Sequence, residues 1–508
     1  LSNTAPPAAG FTIDLFYYVF LMNLYRDIDI QAITDKLDNI IEEATDKKDA
    51  TLFPTIKEKS RAKKMIIDFI KEKKRVIYGG TAYNELIKVK SSKDRIYTPK
   101  EETTKDVEFY SPEPLQDMIE LCDYLRNEFD YVSGREAQHD ETFTIFVLFE
   151  QLCDITYMPK HIYNNMPKVN IKDMYYTHPL FILVDILRQY NDPLTSYWRL
   201  KDKTFSRATM LLKYYPMDLD KKKPVFDKPS DINQDVFDTI KNISSLIHLG
   251  SVAYSYYTNT KEKTIDTSKP LVCISTCVKE DTIEIYKRLS KKYPKIQVQE
   301  YWPFFQFWDR RVVFIYNKYP VLTLIGHNRI CTPYHTVSFN DDKFKSIQLG
   351  GVYKDLLGGE DSNRNSFKMG TFILLIMHLL IELHYCNINK LSRDAKQIQN
   401  MLFQLLETRK GYLTDHNLTV MDKSPYQEFI LECYGKTVDN KVDAQTRILN
   451  KKKKGIAPLL RYTPNEDDKN AERYKINFDN SSGNIITNPK KLYVATDTRL
   501  ESETSSTG

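Results

Sequence analysis

The sequence predicts an α+β fold of two tandem units of strands and helices, the second a degenerate copy of the first, with helical extensions at both ends. Three observations carry this reading. Helix, short apolar strand, small residues and Ala-Tyr occur twice in succession, as "GGTAY" at 79–83 and "GSVAY" at 250–254. A pair of apolar strands follows each, "TIFVLFEQLCDITYMP" at 144–159 and "RVVFIYNKYPVLTLIG" at 311–326. After each pair comes an apolar helix, "FILVDILRQY" from 181 and "FILLIMHLLI" from 372. The three matches keep one order at displacements of 171, 167 and 191 residues, as a duplicated unit with different loop lengths would.

A length of 508 residues exceeds what one core organises. Boundaries are expected at 1–60 (helical region), 61–215 (first unit), 216–231 (the linker "PMDLDKKKPVFDKPSD"), 232–400 (second unit) and 401–508 (helical extension and a disordered polar tail). In order, residues 11–46 read as helices, and "EKSRAKKMIIDFIKEKKR" is an amphipathic helix with a basic outer face. It runs into the strand "VIY", Gly79-Gly80 and the helix "TAYNELIKV". A polar connection (88–105) leads to the strand "KDVEFYSPEP" and the helix "PLQDMIELCDYLRNEF". The next strands are expected to turn around Glu150-Gln151 and to end at Pro159. Two helical stretches follow, and the second unit repeats the plan. One more helical region is expected from about 400 to roughly 435, before the lysine run 451–454.

Hydrophobic residues at 41% and charged residues at 28% describe an ordinary globular chain. A net charge of +5 permits a basic groove for nucleic acid without demanding one. The seven cysteines (122, 153, 273, 277, 331, 386, 433) show no zinc-ligand spacing and are expected as reduced thiols, which implies an intracellular, reducing compartment. The run "FTIDLFYYVFLMNLY" carries Asp14 and is too short to span a bilayer, so no membrane anchor is expected.

The chemistry sits in the first unit. Gly79-Gly80 makes either a tight strand-to-helix turn or a backbone approach to a phosphate that a Cβ would obstruct. Asp106 and Glu108, at i and i+2 of a strand, project from one face and repel each other unless a proton or a divalent cation intervenes. Asp154, flanked by Leu152, Cys153 and Ile155, is costly to bury alone and natural as a third metal ligand. Taken singly, Asp-x-Glu reads first as a solvated strand face, and Asp154 as a satisfied turn or hydrogen-bonded acid. The combination is strand-Gly-Gly-helix, then acid-x-acid, then one acid on a later strand.

That combination resembles the nucleotidyltransferase superfamily typified by DNA polymerase β, whose pattern hG[GS], [DE]h[DE]h and a third acid is written here Tyr78-Gly79-Gly80-Thr81, Asp106-Val107-Glu108-Phe109 and Cys153-Asp154-Ile155. The connection from Gly80 to Asp106 is longer than is common there. With "YGGTAYNEL", "DVEFYSPEP" and "CDITYMP", the chain resembles the poly(A) polymerases of large cytoplasmic DNA viruses, giant-virus enzymes most closely and the poxvirus subunit more distantly.

The resemblance implies two mixed β-sheet units, the second degenerate, and template-independent addition of AMP from ATP to an RNA 3′ end. It implies two Mg²⁺ (or Mn²⁺) ions on Asp106, Glu108 and Asp154, with Gly79, Gly80 and Thr81 on the β- and γ-phosphates. Arg188, Arg199, Lys201, Arg207 and Lys213 are candidates for the triphosphate and primer, although any one of them taken alone reads first as a solvated surface charge. Tyr197 and Trp198 suit base stacking or the core; Lys71, Lys73, Lys74 and the 451–454 lysines suit RNA phosphates. A homodimer and a host-cytoplasmic or virion location follow from the same resemblance. Aligning "CDITYM" with "PVLTLI" puts Val321 in the place of Asp154, and "LVCISTC" lacks the paired acids, so the second unit is read as scaffold or binding surface. The rivals are a CCA-adding, terminal uridylyl or small-molecule nucleotidyltransferase, and a catalytically dead RNA-binding scaffold.

Overall fold

The computed structural model describes residues 24–139, 141–219, 221–222, 224, 231–258, 270–327, 330–338, 366–437, 439–455, 461–464 and 484–486. The helical reading of 11–23, half of the 216–231 linker and most of the polar tail lie outside the described residues. The chain divides into two compact units, Leu1–Thr55 and Ile56–Gly508. In the first, α1 (Asp27–Leu52) carries Ile30, Ile33, Leu37 and Ile40 at coiled-coil spacing, all of them exposed.

The larger unit holds two mixed sheets. Elements of the first run α2 (Ile56–Glu72), β1 (Val76–Tyr78), α3 (Gly79–Lys90), α4 (Pro99–Thr104), β2 (Val107–Ser111), α5 (Pro114–Arg126), β3 (Val132–Glu136), β4 (Thr142–Val147), β5 (Glu150–Tyr157), α6 (Lys160–Asn165), β6 (Lys168–Ile171), β7 (Met174–Thr177) and α7 (Pro179–Tyr190). Then α8 (Pro193–Ser196), a 3₁₀ turn (Tyr197–Arg199), a π-helical turn (Leu200–Phe205) and α9 (Ser206–Tyr214) follow without a break. The remainder comprises α10 (Asp231–Ile240), β8 (Leu246–Leu249), α11 (Gly250–Thr258), β9 (Leu271–Ser275), α12 (Val278–Lys292), β10 (Gln297–Tyr301), β11 (Arg311–Tyr316), β12 (Tyr319–Gly326), β13 (Thr332–Ser338), β14 (Ser366–Gly370), α13 (Phe372–Ile388), α14 (Ser392–Asp415), β15 (Cys433–Tyr434), α15 (Asn440–Lys453), β16 (Arg461–Tyr462) and β17 (Asn484–Ile486).

Strand order reveals the duplication. The first sheet reads β6-β7-β1-β2-β5-β4-β3-β16 and the second β13-β14-β8-β9-β12-β11-β10-β17, with β15 added at the β13 edge. Every neighbouring pair keeps its sense: β1–β2 and β8–β9 are antiparallel, β1–β7 and β8–β14 parallel, β2–β5 and β9–β12 parallel. Even the bulge recurs, after Ile145 in β4 and after Phe314 in β11. Sequence supplied the pattern of apolar runs; the register supplies the proof.

Several expectations need correction. The β4–β5 turn lies at Leu148-Phe149, not Glu150-Gln151, and both turn residues have positive φ (47° and 67°). An apolar pair there is unusual for a tight hairpin, but Phe149 packs its ring against Tyr131 at 5.1 Å. The 88–105 connection contains a helix the sequence reading overlooked, α4, fixed by a Thr98–Glu101 capping box with Pro99 in the first turn. The final helical region ends at Asp415, and the lysine run closes α15 instead. Cys331 and Cys433 are joined in a disulfide with Cα atoms 5.2 Å apart, contrary to seven reduced thiols. β13–β15 pairing brings them together across 102 residues of sequence, a distance no spacing rule reaches. Cysteine usage therefore no longer argues for a reducing compartment. Among the described residues no helix is long and apolar enough to cross a membrane.

An aromatic seam packs elements of the first sheet against the second. Tyr110 meets Phe305 edge-on at 5.2 Å, and Phe181 lies 4.4 Å from Phe307. Each such pair contributes about 0.5–1.5 kcal/mol beyond the area it buries. Beneath β1, Arg75 forms a two-pronged pair with the buried Asp117 of α5, both bonds 2.7 Å long.

Candidate active site

Chain direction changes abruptly where β1 becomes α3. Gly79 has φ +67°, and a Cβ on it would overlap the Glu108 carboxylate; a Cβ on Gly80 would collide with the Tyr97 hydroxyl. Glycine is required at 79 for both conformation and space. The turn thus lets an acid reach the backbone at the start of a helix. Gly80 N–H donates to Glu108 Oε2 at 2.9 Å, where the helix dipole favours negative charge. The Thr81 hydroxyl donates to the Asp106 carbonyl oxygen at 3.2 Å.

Asp106 immediately precedes β2, and Glu108 follows it on the same face. In the parallel β2–β5 ladder Glu108 is the direct partner of Asp154. Three carboxylates from two adjacent strands therefore share one side of the sheet, each half-buried. Asp154 accepts from the Thr144 hydroxyl at 2.6 Å and from the Gln151 amide at 3.0 Å. Below them Tyr78 stacks on Tyr110 (centroids 4.0 Å) and bonds Thr156 at 2.6 Å.

This crowding shows in the titration of the acids. Burial first, then the charge of Asp106, pushes Glu108 up to about 7 against the pull of the Gly80 amide. Burial pushes Asp154 up to about 6, with Asp106 adding to it and the Thr144 bond opposing it. The donors are hard carboxylate oxygens whose ionised forms repel one another, the chemistry a divalent cation relieves. As placed, the Glu108 and Asp154 side chains turn to their hydrogen-bond partners, and among the described residues no three His, Cys, Asp or Glu groups are gathered as a metal-holding set. The residues fit such ions by charge and donor type.

The candidate cations differ in how they relate to the acids. Arg207 lies 5.5 Å over the Tyr83 ring and acts on Tyr97, which also feels Glu108 and Asp106. Arg199 sits over Trp198 at 4.4 Å. Arg188 is paired with Asp185 at 3.2 Å, and Asp185 in turn acts on Glu108. Lys201 is exposed on the π-helical turn. Lys213 is drawn onto Asp94 at 3.1 Å and is mostly exposed. Lys71 faces Asp173, Lys73 pairs with Glu120 and Lys451 with Glu136.

Sequence reasoning missed Lys63, Tyr97, Lys203 and the Thr144–Gln151 brace. Lys63 is half-buried, which lowers its pKa while Asp106 draws it back up, and it donates to the Lys105 carbonyl at 2.7 Å. A signal existed: Lys63 falls on the helical stripe of the buried Ile66 and Ile70, where an apolar residue is expected.

The second sheet supplies a contrast at the same register. Gly250 repeats the left-handed turn (φ +56°), but a Cβ there would meet Val272 Cγ2 at 2.9 Å rather than an acid. Val272 pairs with Leu249 and with Thr323, as Glu108 pairs with Tyr78 and Asp154. Asp106, Glu108 and Asp154 are thus answered by Pro270, Val272 and Thr323. The Val321 equivalence expected from sequence is off by two residues, since alignment by apolar pattern cannot tell positions two apart on a strand.

Known proteins resemble this chain closely. Residues 64–196 match the family described as "Poly(A) polymerase catalytic subunit", and residues 209–496 match "APMV, Putative poly(A) polymerase, catalytic subunit, C-terminal". A protein of Acanthamoeba polyphaga mimivirus described as "Putative poly(A) polymerase catalytic subunit" is 31% identical, across 92% of this chain and 84% of its own length. A protein of the same description from African swine fever virus (strain Badajoz 1971 Vero-adapted) is 27% identical over 33% of this chain and 35% of its own. The crystal structure of the Megavirus polyadenylate synthase superposes with a TM-score of 0.74 at 30% identity, covering 94% of this chain and 96% of that one.

Proposed function

Because this chain belongs to the family of viral poly(A) polymerase catalytic subunits, enzymes of the nucleotidyltransferase superfamily, we propose that it adds AMP from ATP to RNA 3′ ends at Asp106, Glu108 and Asp154. The observation that carries this is the Glu108–Asp154 pairing beside the Gly79 turn. Those three acids would hold two divalent cations, which when bound neutralise charge on the phosphates and acidify the 3′-hydroxyl. The hydroxyl oxygen attacks the α-phosphorus of ATP and the bond to pyrophosphate breaks. The Asp154 carboxylate, braced by Thr144 and Gln151, takes the hydroxyl proton. The Gly80 amide and Thr81 hydroxyl, which hold Glu108 and the Asp106 carbonyl here, receive phosphate oxygens at the N-terminus of α3. Arg207 and Lys63 supply balancing positive charge.

Incubating the protein with a labelled RNA primer, Mg²⁺ and each of the four nucleotides separately tests the reading. ATP alone should give long extension. Equal use of UTP, addition of only two or three nucleotides, or transfer without RNA would replace it with another transferase of the superfamily.

A second expectation concerns pH. In the unfolded chain Glu and Asp ionise near 4.5 and 3.8, but Glu108 and Asp154 do so here near 7 and 6. As pH rises through about 4 to 7 the unfolded state releases protons first, so these two acids lower stability over that window. Mg²⁺ or Mn²⁺ binding the ionised forms should therefore raise Tm more at pH 8 than at pH 5.5. Differential scanning fluorimetry measures this; an equal shift at both pH values places the ions elsewhere.

A further inference from the structure

On the segment that leads from α8 into α9, Tyr197 and Trp198 are 71% and 57% exposed, and Phe205 is exposed as well. Core aromatics are not left so open; Trp308, by contrast, is 3% exposed. Two cations flank the Trp198 ring, the Arg199 guanidinium at 4.4 Å and the Lys203 ammonium at 5.5 Å. Among the described residues neither they nor Arg207 pair with a carboxylate. The backbone under them is a 3₁₀ turn followed directly by a π-helical turn, a departure from α geometry that recurs at functional positions. Lys203 lies within electrostatic reach of Asp106, Lys105, Arg199 and Arg207, so the patch adjoins the acids.

We propose that Trp198, with Tyr197 beside it, is a stacking platform for bases of the single-stranded RNA primer, while Arg199 and Lys203 hold the flanking phosphates. An open aromatic face set among unpaired cations suits a strand of bases passing over the surface, since every base offers a π-face and every linkage a negative charge. The incoming nucleotide, by contrast, is held at the acids and the Gly79 turn. The platform contributes affinity for primer and no step of the chemistry. This inference rests on the primer-extension reading above, yet it can be judged without any turnover.

Trp198 is the exposed one of three tryptophans, so its fluorescence reports the contact directly. Titrating the full chain with an unlabelled oligoribonucleotide, without ATP, should quench that emission. Trp198→Phe should abolish the quench but keep affinity, measured by anisotropy of a labelled primer, within about threefold. Trp198→Ala should weaken primer binding by about 5- to 100-fold and raise the KM for primer while the KM for ATP holds. Lys203→Ala should flatten the log–log salt dependence by about 0.7, whereas Trp198→Ala leaves that slope alone. Unquenched emission at saturating RNA, unchanged primer affinity in Trp198→Ala, or an equal rise in the ATP KM would overturn the platform; the last would give Trp198 to the incoming nucleotide. Absence of nucleotide addition would strike the proposed function and leave the binding titration to decide this one.

Discussion

Asp154→Ala should lower the rate of AMP addition by at least about a thousandfold while leaving the fold intact. One lost electrostatic stabiliser typically costs about 10²–10³-fold, and losing the group that takes the hydroxyl proton adds about 10²–10⁴-fold. The substitution opens no apolar cavity, because Asp154 is half-buried on the face of β5 that carries the acids. It also removes one of the charges acting on Glu108, whose pKa should fall. Stability above pH 7 should hold or rise. Single-turnover extension at saturating ATP, with Tm recorded alongside, separates these effects. Thr323→Ala, at the matching register of the second sheet, is the control and should extend primer normally. A Thr323 variant as impaired as the Asp154 variant would mean that the second sheet takes part in chemistry; an Asp154 variant within tenfold of the parent would remove that acid from the centre.

Gly79→Ala should be nearly as damaging to activity through a different route. Holding alanine in the left-handed region costs about 1–2 kcal/mol, and the new Cβ would occupy the position of the Glu108 carboxylate. Glu108 must then swing away and give up the Gly80 amide. Loss of activity by at least about 10²-fold is expected, far beyond what the modest loss of stability explains. Gly250→Ala imposes the same backbone strain (φ +56°) and crowds Val272 instead. It should lower Tm by a similar amount and spare extension. Comparable losses of activity in both variants would show that strain, not displacement of Glu108, is responsible.

Legibility in the sequence followed how local each feature was. The three acids and the Gly-Gly turn were readable because each lies on a short element with clear alternation, and because strands β2 and β5 follow one another at moderate distance. The duplicated order was readable where strands are apolar. It was not readable at β3, whose "VSGRE" is short and polar, nor at the β6–β7 hairpin, which turns on Lys172-Asp173 with positive φ at both. The Leu148-Phe149 turn defeated composition because apolar residues rarely occupy such positions; tertiary packing of Phe149 on Tyr131 decides it. Lys63 required asking why a lysine interrupts an apolar stripe. The Cys331–Cys433 bond and the β16–β3 pair join residues about a hundred and over three hundred positions apart. Neither has a local signature, so only the assembled chain reveals them.

The route of the C-terminal chain has a consequence for synthesis. After β15 joins the second sheet, α15 reaches back so that Lys451 and Arg447 hold Glu136 and the Gln138 carbonyl, and β16 closes the rim beside β3 with Tyr462 bonded to Asp123. On a translating ribosome the acids of β2 and β5 emerge early, but their sheet keeps an open margin until more than three hundred further residues have been made. Throughout that interval a nascent β3 offers unpaired amides and carbonyls to any passing strand. The geometry of the acids is thus encoded more than three hundred codons ahead of the strand that covers their sheet's margin.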